Sequence, residues 1–231
     1  MSAVVGVDER GRDVEFDHFA ALHTVVVGQT RSGKTIFSHM ALLAAARDPR
    51  IRVCGVDPSG LLLHPHRRGE DDPLIHLGTD DPERACAVVE SLVRIMDRRI
   101  KTLLAHGVDA VPREVLRPAF PKYVVVLEEF AGLLTWLDSE DAGRKAGEKY
   151  APRFKAAVGR LAREAAKASL NLYLVLQRGE AAFLPDRAQL ARRVAFRQDN
   201  AASVSLLMEN ATSEDVQRIM SLAPGRHLGA G

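Results

Sequence analysis

Residues 28–35 read Gly-Gln-Thr-Arg-Ser-Gly-Lys-Thr, a full match to the spacing G-x-x-x-x-G-K-[ST]. These residue types suit one chemistry. The two glycines let the backbone curl so that its N–H groups point inward at phosphate oxygens. Lys34 carries a point charge to the β- and γ-phosphates, and Thr35 offers a hydroxyl to Mg²⁺. All eight positions, Gly28, Gln29, Thr30, Arg31, Ser32, Gly33, Lys34 and Thr35, are expected to touch a bound ATP. The motif fixes only half of its positions, so placement matters. Here it follows an apolar strand and opens an amphipathic helix, whose positive N-terminal end favours an anion.

A second set of residues could do the hydrolysis. Tyr123 to Leu127 is apolar and ends in Glu128 and Glu129. A Mg-ATP site needs one carboxylate near the metal and another to polarise the attacking water. Adjacent residues at a strand exit point in different directions. Glu128 is therefore assigned to the metal with Thr35, and Glu129 to the water. A solvated helix cap is the plainer reading of the pair. A fourth apolar strand, Leu172 to Leu176, ends in Gln177 and Arg178, where Gln177 could sense the γ-phosphate. Arg153, Arg160 and Arg163 precede that strand. In a ring, one of them could enter a neighbour's site, a contribution of roughly 10³–10⁵ in rate. Arg160 and Arg163 are the candidates, with Arg163 ranked first; an ordinary exposed helix charge is the competing account of each.

These groups need elements to position them. Short strands are predicted over 3–7 and 13–16, then His23–Val27, Ile51–Val56, Tyr123–Leu127, Leu172–Leu176 and Arg193–Phe196, with an edge strand at 226–228. Helices are predicted over 32–47, 82–106, 156–169, 201–207 and 213–222. In the first of these, Ile36, Met40, Leu43 and Ala44 form the apolar face; the second carries Val88, Val89, Leu92, Ile95, Met96 and Leu103. Gly107 ends it. Strands apolar throughout and separated by helices predict an α/β domain with a mostly parallel sheet and helices on both faces. Its ligands bind at the carboxyl ends of the strands.

Bulk properties add exclusions. The 231 residues suffice for one domain with a real core, and the net charge of +2 says nothing by itself about nucleic acid. No apolar run approaches the roughly 20 residues that span a bilayer. The first residues carry acids and no apolar stretch, so no signal peptide is read and a cytoplasmic setting is expected. Cys54 and Cys86 lie in apolar patterns and read as buried thiols.

Taken together, the pieces resemble the FtsK/SpoIIIE family of DNA-translocating ATPases. The matching stretches are HTVVVGQTRSGKT (23–35), CGVDPSG (54–60), RIMDRRIKTLLAHGV (94–108), YVVVLEEFAGLL (123–134), VGRLAREAAKASLNLYLVLQR (158–178) and RVAFRQDNAASVSLLME (193–209). Three departures stand out: Glu128 where the family usually has Asp, Ser169 where it often has Gly, and Gly179 where it often has Pro. The resemblance implies a RecA-like P-loop motor domain over 23–231, preceded by a short β-hairpin extension over 1–22. It implies a hexameric ring on double-stranded DNA, sequence-independent binding, and ATP with Mg²⁺ as cofactors. The family's membrane anchor and DNA-reading module have no counterpart in this sequence. That leaves a stripped motor of the kind a phage or mobile element would carry, with anchoring left to a partner. Arg144, Lys145, Lys149 and Arg153 are the cations that could face DNA, or simply a solvated loop. Two other functions compete: a protein-secretion ATPase, and a regulatory module that binds ATP and hydrolyses it weakly.

Overall fold

The computed structural model describes residues 2–8, 10–177, 187–208 and 211–230. The chain opens with two antiparallel strands, β1 (Ser2–Val7) and β2 (Asp13–Asp17). Asp8 closes their turn by accepting from the N–H groups of Arg10 and Arg12, each at 2.8 Å. There follow β3 (Thr24–Val27), α1 (Lys34–Ala46), β4 (Ile51–Asp57), β5 (Ile75–Leu77), α2 (Pro82–His106), β6 (Lys122–Leu127), α3 (Phe130–Glu140) and α4 (Tyr150–Glu164). The chain then continues through β7 (Leu170–Leu176), β8 (Arg192–Phe196), α5 (Ala201–Leu207), α6 (Ser213–Met220) and β9 (His227–Ala230).

Seven of these strands form one sheet in the order β5-β4-β6-β7-β3-β8-β9. All pairs are parallel except β8 with β9. Every residue of β3, β4 and β7 is buried, as a parallel sheet covered on both faces requires. The crossover β3–α1–β4 runs one way along the sheet and β5–α2–β6 the other. Right-handed connections therefore put α1 on one face and α2 on the other. The β1–β2 hairpin shares the face of α1: Phe16 is buried with its ring 6.2 Å from both Phe37 and Tyr173. Because β6, β7 and β3 are consecutive in the sheet, their exits at Glu128, Gln177 and Gly28 stand side by side. Cys54 and Cys86 are both buried, free thiols.

Several expectations need correction. The buried face of α1 is Phe37, Ser38, Ala41, Leu42 and Ala45; Ile36, Met40 and Leu43 are exposed. Small residues at 38, 41 and 45 let this helix lie close on the sheet with Phe37 and Leu42 beside them, which leaves Ile36, Met40 and Leu43 facing outward. Strand β5 and helix α3 were not predicted. The helix expected over 156–169 starts earlier, at Tyr150, because Asp141 caps it: the N–H groups of Tyr150 and Ala151 bond its two carboxylate oxygens at 2.6 and 2.9 Å. Helix α6 is capped by Thr212, which forms a reciprocal capping box with Asp215. Ser169 adopts a left-handed backbone, φ 61°, before β7, a conformation that glycine takes more cheaply. Arg178, Gly179 and Glu209 lie outside the described residues.

Buried histidines make the fold acid-sensitive. Burial depresses His18, His23 and His66 to about 4. As pH falls below their unfolded value near 6.5, the unfolded chain binds protons that the folded chain refuses, so stability is lost between pH 6.5 and 4. At pH 5 the loss is about 2 kcal/mol per histidine. Glu128, pushed up to about 7, works in the opposite sense and offsets about one of them. Urea titrations at pH 7 and pH 5 should therefore show a net loss on the order of 4 kcal/mol. An unchanged midpoint would mean these rings are not buried neutral.

Candidate nucleotide site

Between β3 and α1 the chain makes a closed loop. Gln29 N–H donates to the Arg197 carbonyl at 2.9 Å, and Gly225 N–H donates to the Ser32 carbonyl at 2.8 Å. With its amide oxygen turned toward Arg197, Gln29 also accepts from Nη2 and Nε at 2.7 and 2.5 Å. Both glycines are required by close approach. A Cβ on Gly28 would sit 2.5 Å from Phe196 Cβ and 2.7 Å from Ser32 Oγ. One on Gly33, at φ 109°, would sit 2.8 Å from the backbone of Gly225. Gly33 also precedes α1 without a side-chain cap, and the first turn holds no acid. The helix thus begins with N–H groups that have no intrahelical acceptor, the arrangement that receives a phosphate.

Lys34 is 8% exposed. Its Nζ donates to the carbonyls of Gly28 and Gln29, the latter at 3.1 Å. Burial lowers its proton affinity, while Glu128 and Glu129 act to keep it charged. Glu128 follows β6, and its Oε2 is buried without a partner among the described residues. Burial first, then the charges of Asp57 and Glu129, push its carboxyl up to about 7 against the pull of Lys34. Glu129 has a left-handed backbone, φ 48°, which breaks strand from helix and sends its side chain another way. Gln177 Nε2 donates to Glu129 Oε1. Thus Lys34, Glu128, Glu129 and Gln177, chosen from three separate segments, come together.

Asp57 was not singled out from the sequence, although it ends β4 beside this group. It is fully buried and accepts from the N–H groups of Ser59, Gly60, Leu62 and Leu63 at 2.8–3.0 Å, and from Ser59 Oγ at 2.7 Å. Its oxygens are occupied in shaping the loop after β4, so it acts on the site through its charge. Phe196, Arg197 and Gly225, which brace the phosphate loop, were equally invisible; each reaches it from more than 160 positions away.

The arginines divide. Arg153 bonds Glu83 and Glu90, and Arg160 bonds Asp97, so both tie α4 to α2. Both are therefore engaged within this chain, on part-exposed ion pairs. Arg163 is exposed in the last turn of α4, at the sheet edge opposite the phosphate loop. It lies far from this chain's own cleft.

The cleft itself has a volume of about 1590 Å³ and is lined by Thr30–Phe37, Glu128, Glu129 and Gln177, by the β1–β2 hairpin, and by residues around 222–228. Typical small-molecule pockets are roughly 300–1,000 Å³, so a whole nucleoside triphosphate has room. A divalent cation fits the donor set: Glu128 offers an unpartnered oxygen in a cluster of negative charge that a cation would relieve. Among the described residues no group of three or more His, Cys, Asp or Glu could cage a metal. Mg²⁺ held largely by phosphates and water needs no such cage.

Fold and site together define a P-loop ATPase. The FtsK/SpoIIIE family model matches residues 1–226, and the chain belongs to that family. DNA translocase SftA of Bacillus subtilis (strain 168) is 23% identical over 228 residues, which are 94% of this chain and 22% of that protein. The chain spans under a quarter of the length of the curated relatives it matches. Among solved structures, the pCW3 conjugation coupling protein TcpA, a monomer form with ATPγS, matches with a TM-score of 0.74 and 17% identity over 100% of this chain and 62% of that one. The cytoplasmic domain of the Thermomonospora curvata type VII secretion ATPase EccC matches with a TM-score of 0.69 and 21% identity, over 97% of this chain and 26% of that one. Among the described residues no helix is long and apolar enough to cross a membrane.

Proposed function

We propose that this chain is a motor that uses ATP hydrolysis to move along double-stranded DNA, working as a hexameric ring. The observation that carries the reading is the convergence of Lys34, Glu128, Glu129 and Gln177 on one cleft above the phosphate loop. Family membership and relatives named as DNA translocases support the choice of DNA over polypeptide. The likeness to EccC is one of fold.

In this reading Lys34 leaves the carbonyls of Gly28 and Gln29 for the β- and γ-phosphates. Glu129, steadied by Gln177, orients the attacking water and takes its proton. Thr35 and Glu128 would hold Mg²⁺, which when bound neutralises charge on the phosphates. Arg163, free to point outward, is the residue to complete a neighbour's site in the ring.

DNA contact falls to Lys145, Lys149 and Arg144, on the loop that Asp141 closes before α4. Lys145 is exposed, and Arg144 lies over the Tyr150 ring at 4.2 Å. Such contacts neutralise phosphates without reading bases, so binding should be independent of sequence. Between 50 and 200 mM salt, affinity should fall by about 10³–10⁵ if the ring makes six to ten phosphate contacts. Anisotropy titrations on unrelated duplexes, with Lys145→Ala/Lys149→Ala alongside, measure this; sizing with ATP and DNA reads the ring. Salt-insensitive binding, or strong preference for one sequence, would count against the proposal.

A further inference from the structure

The residues lining the cleft above the phosphate loop fall into two groups, and Glu128 and Glu129 belong to only one; the space beside each group is called a lobe. Glu128, Glu129 and Gln177 line the side over the exits of β6 and β7. The other side is walled by the β1–β2 hairpin, the outer face of α1 and residues 222–228. Hydrolysis attacks the terminal phosphate, so the carboxylate lobe takes that end of the nucleotide. With the phosphates on the loop between them, ribose and base are directed into the other lobe.

We infer that the N-terminal hairpin and α1 together form the seat of the nucleotide's base, with Val7, Ile36 and Met40 as the apolar surface on which the ring lies. These three line the lobe and are 67%, 70% and 45% exposed. Single exposed apolar residues are ordinary. Three of them gathered from two elements on the wall of one ligand cleft form a surface that a flat heteroaromatic ring would cover. Covering it also accounts for the outward turn of Ile36 and Met40.

The hairpin is held in place for this task. Phe16 is buried against Phe37 and Tyr173, and Arg192 donates both Nη groups to the Asp17 carbonyl at 3.1 Å while lying over the Phe16 ring at 4.2 Å. The strand carrying Val7 is thereby fixed to the core at its partner's far end. Among the described residues of the hairpin's part of the lobe, the carboxylate Asp8 is already paired with Arg12 at 2.6 Å and is not left for the base.

The inference rests on the ATP site and is tested apart from it. ATP and inorganic tripolyphosphate, each with Mg²⁺, are titrated calorimetrically against the intact chain and against Val7→Asp and Met40→Asp. Leu43→Asp, on the same helix but outside the cleft, is the control. ATP affinity should fall about tenfold or more in the first two variants, since a charge then faces the desolvated ring. Tripolyphosphate, which has no base, should bind all four proteins alike. Val7→Ala and Met40→Ala, which bring no charge and shorten side chains that lie outside the buried core, should weaken ATP in the same direction by a smaller factor. ATP affinity unchanged in the Asp variants, or tripolyphosphate weakened in parallel, would overturn the inference. An intact chain that binds neither ligand would instead remove the phosphate-loop assignment beneath it.

Discussion

In a Lys34→Ala chain, ATP hydrolysis is expected to fall to background while the fold remains. Lys34 is a buried cation whose Nζ rests on two loop carbonyls and faces two carboxylates. Its desolvation is a standing cost, so truncation does not remove a net source of stability. At the phosphates, however, the loop's other cation, Arg31, is exposed, whereas Lys34 is buried beside the carboxylates. Removing one electrostatic stabiliser of this kind costs about 10²–10³ in turnover, and here ground-state binding of the triphosphate is lost as well. A steady-state assay beside a melting curve separates the two effects. Wild-type turnover in the variant would put the active nucleotide site elsewhere.

The second large effect separates the two carboxylates. Glu129→Gln should keep Mg-ATP binding and reduce turnover by about 10²–10⁴, the range for a positioned general base. The amide retains an oxygen to accept from Gln177, so the local geometry survives and only the proton acceptor is lost. Glu128→Ala should instead weaken the Mg²⁺-dependent part of nucleotide affinity. It removes the buried oxygen that has no partner among the described residues, and with it the repulsion from Asp57 and Glu129. Affinity with and without Mg²⁺, read beside single-turnover rates, assigns the roles. They are reversed if Glu129→Gln still turns over and Glu128→Gln does not.

Local signals explain what could be read in advance. Helix α2 runs over Pro82–His106 as predicted because its ends are marked: Asp81 accepts from Arg84 N–H, Pro82 sits at the first turn, and Gly107 closes it at φ 63°. The phosphate loop was legible because its function demands particular residues at particular steps. Glu128, Glu129 and Gln177 were legible because a strand exit is a place, and polar residues there follow apolar runs.

What was hidden depends on distance or on competition between patterns. The apolar stripe Ile36, Met40, Leu43 has the spacing of a core face, yet small residues on the other side won the contact with the sheet. Strand β5 has three residues and too little pattern to register. Helix α3 follows β6 with apolar residues on both sides of the join, and only the left-handed backbone of Glu129 marks the break. The capture of Arg153 by Glu83 and Glu90, and of Arg160 by Asp97, spans more than 60 residues in each case. No local reading distinguishes such a cation from one that waits for DNA or for a neighbour.

The most direct measurement of the central claim is the ATPase rate of the intact chain with and without double-stranded DNA, at low salt and again at high salt. A DNA motor hydrolyses faster on its track. The account predicts a clear rise with duplexes of any sequence, lost in Lys34→Ala and suppressed as salt releases the DNA. A rate indifferent to DNA at every salt concentration would contradict it, leaving an ATPase whose work is done on something else.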